Sequence, residues 1–161
     1  MAVRVFPRYP HMGPMESQIW HRFLAITNLR FTRINYDVRV GTGVLPKWLE
    51  EEYKRKLKLY EQGLISYASL RETEAIIKSI TALTQLRIDV VAETEKEVWI
   101  FEVKPRAGRS ALGQLESYYW WYVRQYKPVK PVKLGCVCIE VDRNLEPIFA
   151  SRGIRIFKVP I

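Results

Sequence analysis

The sequence predicts a mixed α/β fold in which helices flank a central β-sheet. Apolar residues recur with helical spacing at 16–26 and 110–126, whereas strand-length alternating or apolar runs occur at 31–40, 86–92, 98–104, 133–141 and 154–159. Helical patterns also fill residues 46–82, between the first strand and the second. This order predicts a mixed sheet with a helical insertion between its first two core strands.

The length and composition indicate a single folded domain. The chain has 161 residues, of which 48% are hydrophobic, and no apolar run approaches the roughly 20 residues that span a bilayer. Residues 1–14 contain three prolines and predict a loosely ordered lead-in. The N-terminus lacks a signal-peptide pattern, and Cys136 and Cys138 are expected to be reduced core residues. We therefore expect an intracellular, cytoplasmic protein without a membrane partner.

The strongly basic composition favours an anionic partner. The formal net charge is +9 and the pI is about 9.7. Such a balance is typical of proteins that bind nucleic acid, and less often of proteins that bind an acidic membrane or protein. Charge alone does not choose among these partners.

The first helix and strand carry polar residues that allow two interpretations. Glu16 precedes Ile19 and Trp20 by three and four residues, so it shares their buried face. It is either a first-turn acid that favours the helix dipole or a functional carboxylate. The strand 31–40 alternates strictly, and Arg33, Asn35, Asp37 and Arg39 form what we expect to be its solvated face.

Two carboxylates are expected to meet in the hairpin formed by 86–92 and 98–104. A turn centred between Glu95 and Lys96 places Asp89 opposite Glu102, with Cβ atoms about 5 Å apart. Strand alternation puts Lys104 on the same face as Glu102. Two such close carboxylates repel unless one is protonated or a cation lies between them, and Mg²⁺ is a suitable cation for oxygen ligands. A surface hairpin with a Glu–Lys pair is the alternative.

Local signals also define the helices. Ser110 is the expected N-cap of the helix 110–126, and Pro128 stops it. Ser69 and Glu72 match a capping box within the insertion. The helix 110–126 has an expected core stripe of Leu112, Leu115, Tyr119, Tyr122 and Tyr126.

These residues carry a resemblance to a known family. Asp89, followed by Glu102-Val103-Lys104 at the end of the next strand, resembles the PD-(D/E)xK nuclease superfamily. The following helix contains Gln114 and Tyr118, one turn apart, which is similar to the QxxxY motif of the RecB-like branch. The resemblance implies a restriction-endonuclease-like fold over about residues 15–160 and a metal-dependent DNA nuclease. Ile88 stands where the family has proline.

The resemblance also implies roles for individual residues. Mg²⁺ or Mn²⁺ would be held by Asp89, Glu102, the Val103 carbonyl and Glu16, whereas Lys104 would position the attacking water. The other implied roles are bracing by Gln114 and Tyr118 and phosphate contacts by Arg106, Arg109 and Lys104, although the two arginines could equally belong to a solvated loop. Cutting both strands often needs two active sites, so a homodimer is one expectation.

Two other functions stay open at the level of sequence. A nuclease-like fold could bind DNA without cutting it, although the full acid–acid–lysine set favours catalysis. A basic interaction protein could instead use the aromatic run 118–122 as a partner surface. Neither His11 nor His21 is expected to be a functional ligand.

Overall fold

A five-stranded mixed sheet forms the centre of the protein. The computed structural model describes residues 7–161, and the sheet order is β1-β2-β3-β5-β7. Strand β3 pairs antiparallel with β2 and parallel with β5, which pairs parallel with β7. The strands are β1 (Arg33–Val40), β2 (Leu86–Glu93), β3 (Val98–Val103), β5 (Val132–Cys138) and β7 (Ile154–Lys158). The predicted mixed α/β class is therefore confirmed.

The hairpin of β2 and β3 has the register expected from its turn. Val90 lies opposite Phe101, and Glu93 lies opposite Val98. The pairing ends at Val90 and Phe101, and Asp89 and Glu102 are the next residues of the two strands. All six residues of β3 are buried, because helices cover the sheet on both faces at this central strand. A carboxylate at Glu102 is therefore held in a predominantly apolar environment.

Two hydrophobic clusters cover the opposite faces of the sheet. On one face, Val98 and Ile100 pack with Leu115 and Tyr118 of helix α4 (Arg109–Gln125). On the other face, Trp99, Phe101 and Val103 pack in the cluster that contains residues of helix α1 (Pro14–Ile26). Strand alternation thus assigns α4 to the face that carries Glu102 and α1 to the opposite face.

The buried stripes of these helices differ in detail from the predicted ones. In α4, Tyr118 is buried, whereas Tyr119 is 43% and Tyr126 is 51% exposed. The predicted stripe was wrong at both positions because five successive aromatics cover most of the helix circumference. In α1, Ile26 is half exposed near the C-terminal end, unlike Ile19 and Trp20.

The described residues up to Val40 form one compact unit with Arg87–Ile161, and Gly41–Leu86 form another. The second unit contains α2 (Lys47–Glu61) and α3 (Tyr67–Thr84), in the stretch where the sequence predicted a helical insertion. Helix α3 begins earlier than predicted because the Ser66 side chain accepts a hydrogen bond from the Ser69 backbone N–H. The capping box predicted at Ser69 is therefore wrong.

Part of the predicted loose lead-in is packed in the first unit. The Met12 side chain is buried, and the Tyr9 ring lies 5.4 Å from that of Tyr36. The Tyr9 hydroxyl is 3.1 Å from His21 Nδ1 on the exposed side of α1, in keeping with a structural role for this histidine. Residues 1–6 of the predicted lead-in lie outside the described residues.

Short elements complete the first unit. They are β4 (Arg106–Ala107), β6 (Glu140–Val141), which pairs parallel with β4, and the helix α5 (Glu146–Ser151). Cys136 and Cys138 are both buried free thiols, as expected. Within residues 7–161, none of the helices combines the length and the apolarity needed to cross a membrane.

Candidate metal centre

Asp89 and Glu102 form a buried pair of carboxylates. They are only 8% and 4% exposed. The Val103 backbone N–H donates a 2.9 Å hydrogen bond to Asp89 Oδ2, which fixes the orientation of that carboxylate. Glu102 Oε2 is buried and has no hydrogen-bond partner in the described part of the chain. An oxygen in this position is costly to bury unless a proton or a cation satisfies it.

The electrostatics of the pair follow from its burial. Desolvation raises the pKa of Glu102, and repulsion from Asp89 adds to the rise, so that the pKa reaches about 8. Desolvation also raises the pKa of Asp89, although the hydrogen bond from Val103 opposes this shift. The pair therefore holds a proton at neutral pH in the absence of a cation.

Lys104 lies beside the acidic pair but does not neutralise it. Its Nζ atom is 3.9 Å from Glu102 Oε1, at the limit of an ion pair, and its side chain is 26% exposed. The attraction to Lys104 lowers the pKa of Glu102 by less than burial and Asp89 raise it. The Lys104 ammonium is instead hydrogen-bonded to Ser110 Oγ at 2.8 Å, near the start of α4.

Side chains one helical turn apart in α4 connect Lys104 with Glu102. The Ser110 hydroxyl donates a 3.3 Å hydrogen bond to Gln114 Oε1. Gln114 and Glu102 both interact with the Tyr118 side chain, whose pKa is raised mainly by burial and also by the negative charge of Glu102. The predicted Gln114 and Tyr118 therefore surround the same site as the carboxylates and the lysine.

Ser110 is the residue whose contribution the sequence did not indicate. The sequence predicts it as the N-cap of α4, but the cap position is Gly108, and Ser110 is the second residue of the helix. Its hydroxyl is consequently directed to side chains and not to the backbone of the first turn. The spacing of four residues from Ser110 to Gln114 is the signal that could have linked it to the site.

The predicted part of Glu16 in the metal site stays a prediction. Among residues 7–161, no group of three or more His, Cys, Asp and Glu side chains is arranged to hold a metal ion. Glu16 belongs to the first turn of α1, and a Cβ atom at Gly13 would lie 2.7 Å from its Oε2 atom. Its carboxylate therefore lies beside the N-terminus of its own helix, as expected of a first-turn acid.

The two predicted phosphate-binding arginines are exposed near the site. Arg106 belongs to β4, and its guanidinium is 3.7 Å from Asp142. Arg109 is the first residue of α4, so it precedes Ser110 by one position. Both side chains are exposed, and both residues lie within five positions of Lys104 in the chain.

His11, to which the sequence assigned no role, influences the site electrostatically. Its charge lowers the pKa of Asp89 and that of Asp37. His11 itself is exposed and adopts a positive φ of 61°. Loop geometry brings it near the carboxylates, which no sequence periodicity could have indicated.

The arrangement combines the groups needed to bind a divalent cation and an anionic substrate. Two carboxylates offer oxygen ligands, and the partly exposed ammonium of Lys104 can approach a phosphate. Comparisons with protein-family models, curated proteins and solved structures find no match to this chain.

Proposed function

We propose that the protein is a Mg²⁺- or Mn²⁺-dependent deoxyribonuclease of the PD-(D/E)xK type, with a restriction-endonuclease-like core. It hydrolyses phosphodiester bonds in DNA repair, recombination or the processing of phage or mobile-element DNA. The observation that carries this proposal is the buried pair of Asp89 and Glu102, with the unpartnered Oε2 of Glu102 and Lys104 alongside.

The residues of the site fit a hard divalent cation. Mg²⁺ prefers oxygen ligands and is usually bound through one or two carboxylates together with water and substrate phosphate. Asp89 and Glu102 supply two carboxylates. The backbone carbonyl of Val103, the residue after Glu102, would be a further oxygen ligand. A cation would also relieve the repulsion and desolvation that raise the pKa of Glu102.

Each side chain has a distinct task in the hydrolysis. When bound, the ion would polarise the scissile phosphate and lower the pKa of a water molecule. Asp89 and Glu102 would hold the ion, and the Val103 N–H keeps Asp89 in place. Lys104 orients the attacking water and stabilises negative charge on the phosphate oxygens. Its ammonium is held in position by the hydrogen bond to Ser110.

The surrounding residues provide support and DNA contacts. Two residues of α4 support the site. Gln114 supports the Lys104 ammonium through Ser110, and Tyr118 interacts with Glu102. Arg106 and Arg109 contact phosphates on either side of the scissile bond, as guanidinium groups commonly do in DNA complexes. The net charge of +9 adds a non-specific attraction that weakens with salt.

A cleavage panel tests the proposal. The protein is incubated with supercoiled, linear, single-stranded and branched DNA in Mg²⁺, in Mn²⁺ and with a chelator. Cleavage should require the metal and should be lost in Asp89→Asn and Lys104→Met, whereas Glu95→Gln, in the exposed hairpin turn, should cut like the wild type. A wild-type protein that leaves every substrate intact, or variants that cut equally well, would contradict the assignment.

A DNA-binding protein that does not cut is the second candidate. It is favoured by the raised pKa of Glu102, because a proton held by the acidic pair would satisfy the buried Oε2 atom without a metal ion. Salt-sensitive binding without products in either metal would identify this function.

A further inference from the structure

A groove lies between β1, β2 and the C-terminal half of α4. Its volume is about 480 Å³, which is large enough for a nucleotide. The residues that define its chemistry are Arg33, Asn35 and Arg39 of β1, Glu93 of β2, and Tyr122 and Tyr126 of α4. The β1 residues form the polar face that the sequence predicted to be merely solvated.

Aromatic rings form one wall of the groove. Tyr122 and Tyr126 are stacked, with ring centroids 4.7 Å apart and an interplanar angle of 14°. The Tyr126 hydroxyl donates a 3.1 Å hydrogen bond to the Arg39 carbonyl, which fixes the ring against β1. Tyr126 is 51% exposed, so its ring offers a surface on which a base can stack.

The charges of the groove suit a nucleotide better than a simple anion. Asp37 is held by Arg87 through two 2.8 Å hydrogen bonds, and the Arg39 guanidinium lies 3.9 Å from its Oδ2 atom, so the charge of Asp37 is largely compensated. Arg33 and Arg39 can then bind phosphate, while the Glu93 carboxylate can accept hydrogen bonds from the amino groups of a base. A groove that bound only phosphate would not need an acid in its lining.

The groove is adjacent to the candidate metal centre. Tyr118 contacts Glu102, and Tyr122 and Tyr126 follow it on successive turns of α4. The eight residues from Tyr118 to Tyr126 rise about 12 Å, which matches three to four stacked nucleotides at about 3.4 Å each. On β2, Val91 lines the groove two residues after Asp89.

We propose that this groove binds a single-stranded segment of DNA next to the scissile phosphate, with a base stacked on Tyr126 and phosphates at Arg33 and Arg39. The proposal rests on the proposed nuclease function, because the metal centre defines where the scissile phosphate lies. It adds a substrate requirement, since a base can stack on Tyr126 only when it is unpaired.

Binding without cleavage tests the proposal. A fluorescein-labelled oligodeoxynucleotide of mixed sequence is titrated with the full chain in a chelator, and anisotropy is measured. Tyr126→Ala should weaken binding by about tenfold, and Arg33→Ala should weaken it and reduce its salt dependence. Tyr126→Phe keeps the ring and loses only the hydrogen bond to the Arg39 carbonyl, so it should keep most of the affinity. The matched controls are Tyr119→Ala, on the same helix and 43% exposed, and Arg22→Ala, on the exposed side of α1.

The outcomes separate this site from the nuclease function. If Tyr126→Ala and Arg33→Ala bind like the wild type, or if the two controls lose as much affinity, the groove is not the binding site. If the wild type cleaves DNA and the two groove variants keep its KM for single-stranded substrate, only the groove proposal fails. If binding depends on Tyr126 and Arg33 but no metal supports cleavage, the nuclease proposal fails and the binding site stands. Circular dichroism verifies that each variant is folded.

Discussion

Replacement of Glu102 by glutamine should stabilise the metal-free protein at neutral and alkaline pH while abolishing its metal response. In the folded chain the pKa of Glu102 is raised to about 8, mainly by desolvation and then by Asp89. In the unfolded chain it is about 4.3. A carboxyl group whose folded pKa is the higher one stabilises the protein fully below its unfolded pKa. That stabilisation is lost as pH rises through the folded pKa.

The expected magnitude follows from the two pKa values. Relative to acidic solution, the metal-free protein loses stability between about pH 4 and about pH 8, by roughly 3 kcal/mol at pH 7. Glutamine resembles the protonated acid in shape and can donate a hydrogen bond to Asp89. Glu102→Gln should therefore remove this loss, with a gain of a few kcal/mol in unfolding free energy at about pH 8.

Denaturant unfolding with a chelator, at about pH 5 and about pH 8, measures the effect. Glu95→Gln, in the exposed hairpin turn, is the matched control and should follow the wild type. Added Mg²⁺ should stabilise the wild type most at the higher pH by binding the folded state, and Glu102→Gln should lose that response. If the variant is no more stable than the wild type at about pH 8, then ionisation of Glu102 does not destabilise the folded protein, which contradicts the prediction.

Three further substitutions test the site and its support. Lys104→Met should reduce cleavage by about 100-fold or more yet retain stabilisation by Mg²⁺ in a thermal melt; loss of both would assign Lys104 a structural role. Ser110→Ala should lower the cleavage rate at saturating DNA by about tenfold, and Ser110→Thr should restore most of it; an unchanged rate would exclude positioning of Lys104 by the hydroxyl. Gly135→Ala should cost about 1–3 kcal/mol in denaturant unfolding, because its Cβ would lie 2.7 Å from the Phe101 ring. Gly113→Ala, with nothing within 4 Å and inside α4, should stabilise the protein slightly; equal effects of the two would contradict close packing at Gly135.

The hairpin could be predicted from the sequence because a polar turn, 93–97, lies between two apolar runs of strand length. A turn centred between Glu95 and Lys96 gives one register, and a slip of one residue would turn Glu102 to the other face. The observed pairing of Val90 with Phe101 matches that register. The closeness of Asp89 to Glu102 could be predicted from it without the tertiary structure, and each carboxyl group affects the pKa of the other.

Other parts of the site depend on details that periodicity does not resolve. Ser110 was predicted as the N-cap of α4, but the helix begins at Arg109, so the Ser110 hydroxyl contacts the side chains of Lys104 and Gln114. Helix ends are the part of a helical pattern that a sequence defines least well. Tyr118 and Tyr119 are equally aromatic, so only the packing of α4 on the sheet shows that Tyr118 is the buried one. Glu16 shares a helix face with Ile19, but helical spacing does not determine how far its carboxylate lies from Asp89 on β2.

The acidic pair has two physical explanations with different consequences. A shared proton between Asp89 and Glu102 would satisfy the unpartnered Oε2 oxygen and would need no ligand. Such a proton, however, gives no reason for Lys104 to be held by Ser110 at 2.8 Å while it remains partly exposed. A site for a cation and a phosphate accounts for all of these features, because the ion needs the carboxylates and the phosphate needs the ammonium. The two explanations diverge on one measurement. With a protonated pair alone, the loss of stability with rising pH is the same with and without Mg²⁺, whereas with a metal site that loss becomes smaller as Mg²⁺ is added.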